Sequence, residues 1–79
     1  MEIRKNEKNQ IWLTKADAWA LVSYTTLIAV YIPSKRTIFK SDRFYSRTTS
    51  KHFNAWKKYY NFDGVKIELV DEQTLSKLF

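Results

Sequence analysis

The run Ala18–Ile32, AWALVSYTTLIAVYI, restricts the fold more than any other stretch of this sequence. Its fifteen residues include neither Gly nor Pro and are interrupted only by Ser23, Thr25 and Thr26. A bilayer-spanning helix takes about 20 apolar residues, so the run is too short to cross a membrane and reads as buried structure. A helix over Ala16–Val22, opened by Thr14 and Asp17 as a relaxed capping box, is one reading. The stronger one is strand, because Val22, Tyr24, Thr25, Thr26, Ile28, Val30, Tyr31 and Ile32 are β-branched or aromatic. A single fifteen-residue strand would reach ~50 Å at 3.3 Å per residue, too long for so small a domain. The run must therefore break, and the expected position is near Thr25–Thr26.

Around this run the other elements follow from local pattern. Ile11–Leu13 reads as a short preceding strand. Pro33-Ser34-Lys35-Arg36 closes a hairpin into a strand at Thr37–Lys40, and Phe44-Tyr45 reads as one more short strand after the turn-forming pair Ser41-Asp42. Thr48, Thr49 and Ser50 offer helix caps. From Lys51 onward Phe53, Trp56 and Tyr60 share one helical face while Lys51 and Lys58 face away. Asp63-Gly64 is expected to end that helix in a left-handed cap. Val65, Ile67 and Leu69 alternate with Lys66 and Glu68 as a half-buried strand. Asp71 then caps a short helix bearing Leu75, Leu78 and Phe79, with Val70 and Leu75 as a hydrophobic staple.

The expected fold is α+β: a small antiparallel sheet of three to five strands packed in two layers by one amphipathic helix, with a short C-terminal helix. Residues 1–10, MEIRKNEKNQ, are polar and without apolar periodicity, and read as a flexible N-terminus. Residues 11–79 form a single domain. With 79 residues the chain buries only ~60% of its unfolded surface, and its three Trp, five Tyr and five Phe are the side chains that make such a core dense enough.

Composition removes most chemistry. There is no Cys, so a disulfide scaffold, a thiol nucleophile and Cys-based zinc sites are excluded, and His52 is the only imidazole. One Gly excludes a phosphate-binding loop and a dinucleotide fingerprint. A Ser–His pair would have to bring Ser23, Ser46 or Thr26 to His52 through the fold. The only adjacent acids, Asp71-Glu72, stand where a helix start favours them. The expectation is a non-enzyme without cofactor or metal.

The net charge of +6 is concentrated in one segment. Between residues 35 and 58, Lys35, Arg36, Lys40, Arg43, Arg47, Lys51, Lys57 and Lys58 face a single acid, Asp42, and carry +7 together. Residues 59–79 are net acidic. Such a segment suits an acidic partner, nucleic acid above all, although a solvated face that keeps the chain soluble has the same composition. Within it, Tyr45-Ser46-Arg47-Thr48-Thr49-Ser50-Lys51-His52 places four hydroxyls and two cations around a helix start, where unpaired N–H groups favour an anion. The alternation Phe39-Lys40-Ser41-Asp42-Arg43-Phe44-Tyr45-Ser46-Arg47 also suits base stacking between phosphate contacts, with core packing as the competing reading.

Two motifs carry a resemblance: Ser23-Tyr24 with Thr26, Ile28 and Ala29, then Tyr45-Ser46 with Thr48, Thr49, Ser50, His52 and Trp56. The pattern S-Y-x-T-x-(V/I)-A followed by Y-S-x-T-T-S-x-H-x-x-x-(F/W), spanning roughly residues 20–56, resembles a family of short uncharacterised proteins encoded by phages and mobile elements of Gram-positive bacteria. Leu27 departs from it, since a smaller residue or Pro is expected there. The resemblance implies a bacterial cytoplasmic setting. It also implies that Tyr24, Thr26, Ser46, Thr48, Thr49 and His52 act together, either as a cluster locking sheet to helix or as a common site.

Three functional expectations follow. The first is a small non-enzymatic protein that binds DNA or RNA, with Arg36, Lys40, Arg43, Arg47, Thr48, Thr49, Ser50, Lys51 and Lys58 meeting phosphates. The second is a protein inhibitor of a host or defence enzyme, of anti-CRISPR or anti-restriction type, which binds an acidic protein surface. The third is a structural homodimer joined through exposed strand edges.

Overall fold

The computed structural model describes residues 1–7, 9–43 and 45–79. The apolar run breaks, as required, into two paired strands. β1 (Glu2–Glu7), β2 (Gln10–Lys15), β3 (Ala18–Ser23), β4 (Thr26–Ile32) and β5 (Thr37–Ser41) form an antiparallel meander. Helix α1 (Arg47–Tyr59) then crosses over the sheet, and β6 (Lys66–Val70) adds to β5 in parallel before the short helix α2 (Glu72–Leu78). The result is a six-stranded mixed sheet in the order β1-β2-β3-β4-β5-β6 within an α+β fold.

Four expectations are corrected. The sheet has six strands rather than three to five. It is not purely antiparallel, because a helix between β5 and β6 returns the chain to the end where β5 began, and the next strand then runs the same way. The polar residues Glu2–Glu7, read as a flexible terminus, form β1: backbone pairing with β2 needs no apolar face, and Lys5 Nζ lies 4.5 Å over the Trp12 ring. The two helices do not share a layer. Alternate residues of the central strands serve opposite faces, so Leu21, Ala29 and Ile38 pack with Phe53 and Trp56 of α1, while Ala20, Val30 and Phe39 pack with Leu75 of α2. The strand expected at Phe44-Tyr45 falls partly outside the described residues, and Tyr45 lies in no strand.

The β3–β4 connection is a two-residue loop, Tyr24-Thr25, one residue earlier than expected. Tyr24 adopts φ 58°, a left-handed conformation uncommon for a bulky residue, and its N–H donates to the Asn9 carbonyl at 2.8 Å. An irregularity opposite Leu21-Val22 leaves Ile28 as an extra residue in β4, which turns both Ile28 and Ala29 toward α1.

Both ends of α1 differ from expectation in an instructive way. Its cap is Ser46, whose extended backbone lets Oγ accept from the Thr49 N–H at 3.3 Å; Thr48, Thr49 and Ser50 lie inside the helix. It ends at Tyr59, five residues before Gly64. Asn61 takes the left-handed position at φ 55°, its N–H donates to the Lys58 carbonyl at 3.2 Å, and the Phe62 N–H donates to the Lys57 carbonyl at 3.0 Å. This is a Schellman closure, and the Phe62 ring packs 5.2 Å from Trp56 as its apolar clasp. Asp71 caps α2 as expected, accepting from the Thr74 N–H at 2.7 Å.

Candidate nucleic-acid interface

The sequence of α1, RTTSKHFNAWKKY, contains no acid, and the helix is amphipathic enough to separate its roles. Thr49, Phe53 and Trp56 are buried against the sheet, while Arg47, Lys51, Asn54, Ala55 and Lys58 are exposed. Residues 47, 51 and 58 are separated by four and then seven positions, so their side chains leave the helix on one side. At 1.5 Å per residue the three cations form a row about 16 Å long. Arg47 and Lys51 stand in the first turns with no acid beside them, against the positive end of the helix dipole. That placement is unfavourable for helix stability and favourable for an anion that would meet dipole, N–H groups and cations together.

Beside this row lies a cleft of about 290 Å³ lined by Ile28, Lys40, Arg43, Tyr45, Thr49, Ser50, Phe53 and Asn54. It gathers five residues of the anion-binding and motif sets: Lys40, Arg43, Tyr45, Thr49 and Ser50. Lys40 reaches it from β5, with Nζ 5.4 Å from the Phe53 ring, and Lys57 approaches the same ring at 5.0 Å. Both ammonium groups are therefore held near the helix by the face of one aromatic side chain.

Two of the expected cations are set apart from the α1 row, one by its position and the other, although it lines the cleft, by a carboxylate partner. Arg36 is in the β4–β5 connection, in a left-handed conformation at φ 47°, at the end of the sheet opposite the start of α1. Arg43 donates to Glu72 Oε1 at 3.0 Å, and Tyr45 donates its hydroxyl to the same oxygen at 3.0 Å. The Arg43 guanidinium, aided by the Tyr45 hydroxyl, holds the Glu72 carboxyl below its ordinary value. Arg43 is thus an exposed but already neutralised cation that ties the β5–α1 connection to α2. The stacking arrangement also separates, since Phe39 is buried on the α2 face and Tyr45 is half-buried. Phe44 lies outside the described residues.

The motif residues come together in part. Ser23, at the end of β3 and 1% exposed, places Oγ 3.0 Å from Thr49 Oγ1 and 2.8 Å from His52 Nδ1. Ser46 Oγ donates to Thr49 Oγ1 at 3.4 Å. The Ser23 and Thr49 hydroxyls can each donate or accept, so the three contacts are satisfied with either imidazole tautomer. The Tyr24 ring stacks obliquely at 6.1 Å from His52. Among the described residues no hydrogen bond links the Thr26 or Thr48 side chain to this chain of hydroxyls, and Thr48 is exposed. The hub is Ser23, which the sequence offers both as a motif residue and as one of three hydroxyl residues that could reach His52 through the fold. Its signal was its place one residue before the hairpin loop, which puts it beside the start of α1. The Ser23 hydroxyl is too buried to meet a substrate.

Among the described residues no group of three His, Asp or Glu side chains is placed to hold a metal ion. Among them, too, no helix is long and apolar enough to cross a membrane. A model of a family of unknown function, DUF8033, matches residues 1–72. No curated protein and no solved structure matches the chain.

Proposed function

We propose that this chain, which belongs to the DUF8033 family of unknown function, is a small non-enzymatic nucleic-acid-binding protein that meets phosphates along the outer face of α1. The observation that carries this reading is the acid-free row Arg47, Lys51 and Lys58 on one exposed helical side, set against the helix dipole at its start. Lys40 and Lys57 extend it toward the cleft, where the Thr49–Ser50 turn lies. Arg36 and Arg43 are left out, the first by position and the second by its carboxylate partner. The setting we propose with it, a phage or mobile element in a bacterial cytoplasm, rests on the resemblance of the Ser23–Ala29 and Tyr45–Trp56 motifs alone.

The experiment is a salt titration of binding to labelled duplex DNA, single-stranded DNA and RNA. Three to four phosphate contacts give log K against log salt a slope of roughly −3 on duplex DNA. Absence of binding to all three at low salt overturns the reading. Retention of an acidic host protein in its place would favour the inhibitor class.

A further inference from the structure

The two edges of the sheet are unlike. β1, sequence EIRKNE, is guarded: its register shifts between Ile3 and Lys5, Arg4 pairs with Glu2 at 2.6 Å, and Lys5 pairs with Glu7 at 3.3 Å. Charges and an irregular register are the devices by which edge strands avoid pairing with other chains. β6, sequence KIELV, carries charge only at Lys66 and Glu68 and has no irregularity of register. It pairs only with β5 among the described residues, it is regular throughout, and Ile67 and Leu69 are 43% and 62% exposed.

The sequence of β6 also says what fits it. Lys66 and Glu68 share one face, 3.9 Å apart within the strand, and Ile67 and Leu69 share the other. Two copies of β6 laid antiparallel with Ile67 opposite Ile67 of the partner subunit bring Lys66 opposite Glu68 of the partner subunit, twice by symmetry. The same register sets Leu69 against Val65 of the partner subunit on the apolar face. Sliding the axis to Glu68 would set that carboxylate against its own copy. The strand is therefore self-complementary in one register, with opposite charges and apolar pairs each facing their match.

We infer that β6 is a homodimerisation edge, and that its occupant is β6 of a second copy in the register centred on Ile67. The two-fold axis then runs perpendicular to the sheet, so the sheet continues across both copies and both α1 helices lie on the same side. This inference does not rest on nucleic-acid binding.

The test exploits the absence of Cys from the chain. Directly opposed residues of antiparallel strands have Cα atoms about 4.5–5.5 Å apart, within disulfide reach. Full-length Ile67→Cys is expected to form a disulfide-linked dimer under mild oxidation, whereas Leu69→Cys, displaced by about 13 Å from its own copy, and Ile3→Cys on β1 remain uncoupled. Sedimentation equilibrium of the unmodified chain is expected to show a monomer–dimer equilibrium. Lys66→Glu or Glu68→Lys alone should weaken it roughly tenfold, and the double swap should restore it. Circular dichroism and melting of each variant separate loss of pairing from loss of fold. A chain that stays monomeric at high concentration overturns the proposal, as does coupling of Leu69→Cys or Ile3→Cys as fast as Ile67→Cys, or a double swap that fails to rescue. A monomer whose β6 takes up a strand from a different protein overturns it as well.

Discussion

Ser23 Oγ lies 2.8 Å from His52 Nδ1, joining the last residue of β3 to the second turn of α1 across 29 positions of sequence. The same oxygen meets Thr49 at 3.0 Å, and Thr49 receives the hydroxyl of the helix cap Ser46. The start of α1 is therefore fixed to the sheet by polar contacts, while Phe53 and Trp56 hold its middle by burial. A buried hydroxyl with two partners is expensive to remove, since it leaves both partners short of a hydrogen bond. Ser23→Ala is expected to cost about 1–2 kcal/mol and to lower Tm by roughly 5–15 °C. An unchanged melting curve would show that the cluster contributes nothing to stability.

Arg47 occupies the first helical position of α1, where a negative side chain is favoured and a positive one opposed. Arg47→Glu is therefore expected to stabilise the fold by about 0.5 kcal/mol while weakening nucleic-acid binding. Melting temperature and affinity moving in opposite directions would mark this position as kept for binding. A variant that loses both would indicate a structural arginine.

The cation row and the excluded cations are separable by salt dependence. Lys51→Ala and Lys58→Ala should each reduce the magnitude of the slope of log K against log salt by about 1. Arg36→Ala, at the far end of the sheet, and Arg43→Ala, already paired with Glu72, should leave it unchanged. Equal effects at all four would mean that binding follows net charge rather than the α1 face.

Tyr24 and Asn61 share the left-handed region, at φ 58° and φ 55°, but only Asn tolerates it readily. Tyr24→Asn should raise stability by about 0.5–1 kcal/mol, and Asn61→Val should lower it by about 1–2 kcal/mol by opposing the C-terminal closure of α1. Chemical denaturation measures both, and a destabilised Tyr24→Asn would mean that its ring contact with His52 outweighs the backbone cost.

Three carboxyls sit below their ordinary values of 3.8, 3.8 and 4.5: Asp17 through the Ser34 hydroxyl and N–H, Asp71 through the Thr74 N–H, and Glu72 through Arg43. A group whose folded value is depressed stabilises the fold above its unfolded value, and the contribution disappears as pH falls through the folded value. Melting temperature should therefore be insensitive to these groups above about pH 5 and fall below about pH 4. Asp17→Ala should make the acid limb shallower, and a limb of unchanged steepness would remove Asp17 from the explanation.

Much of the fold was legible because local pattern carried it. The β-branched run had to become strands. The alternation through Val65, Ile67 and Leu69 gave β6, the Phe53–Trp56 spacing gave α1, and Asp71 with Thr74 gave the cap of α2. β1 was illegible because its partner contributes backbone, not an apolar face, and its residues signal only exposure. The choice of Ser46 over three neighbouring hydroxyl residues was hidden as well, because any of them can cap a helix. Ser46 alone has the extended backbone at that point, set by where β5 ends and α1 docks. Asn61 carried a readable signal for the C-terminal cap, outranked by the stronger glycine three residues on.

By itself, the sequence determined that the strands alternate, that one long helix is amphipathic, and that +7 falls between residues 35 and 58. These are properties of neighbours within one or two turns, set by side-chain period and composition. The tertiary structure decided which of those charges act together. Arg47, Lys51 and Lys58 share a side because one helix carries them. Arg43 is removed by a carboxylate 29 residues away, and Arg36 by the direction of a hairpin. Such pairings depend on the crossover that returns β6 beside β5 and swings α2 to the far face, and chain topology of that range leaves no mark on local pattern.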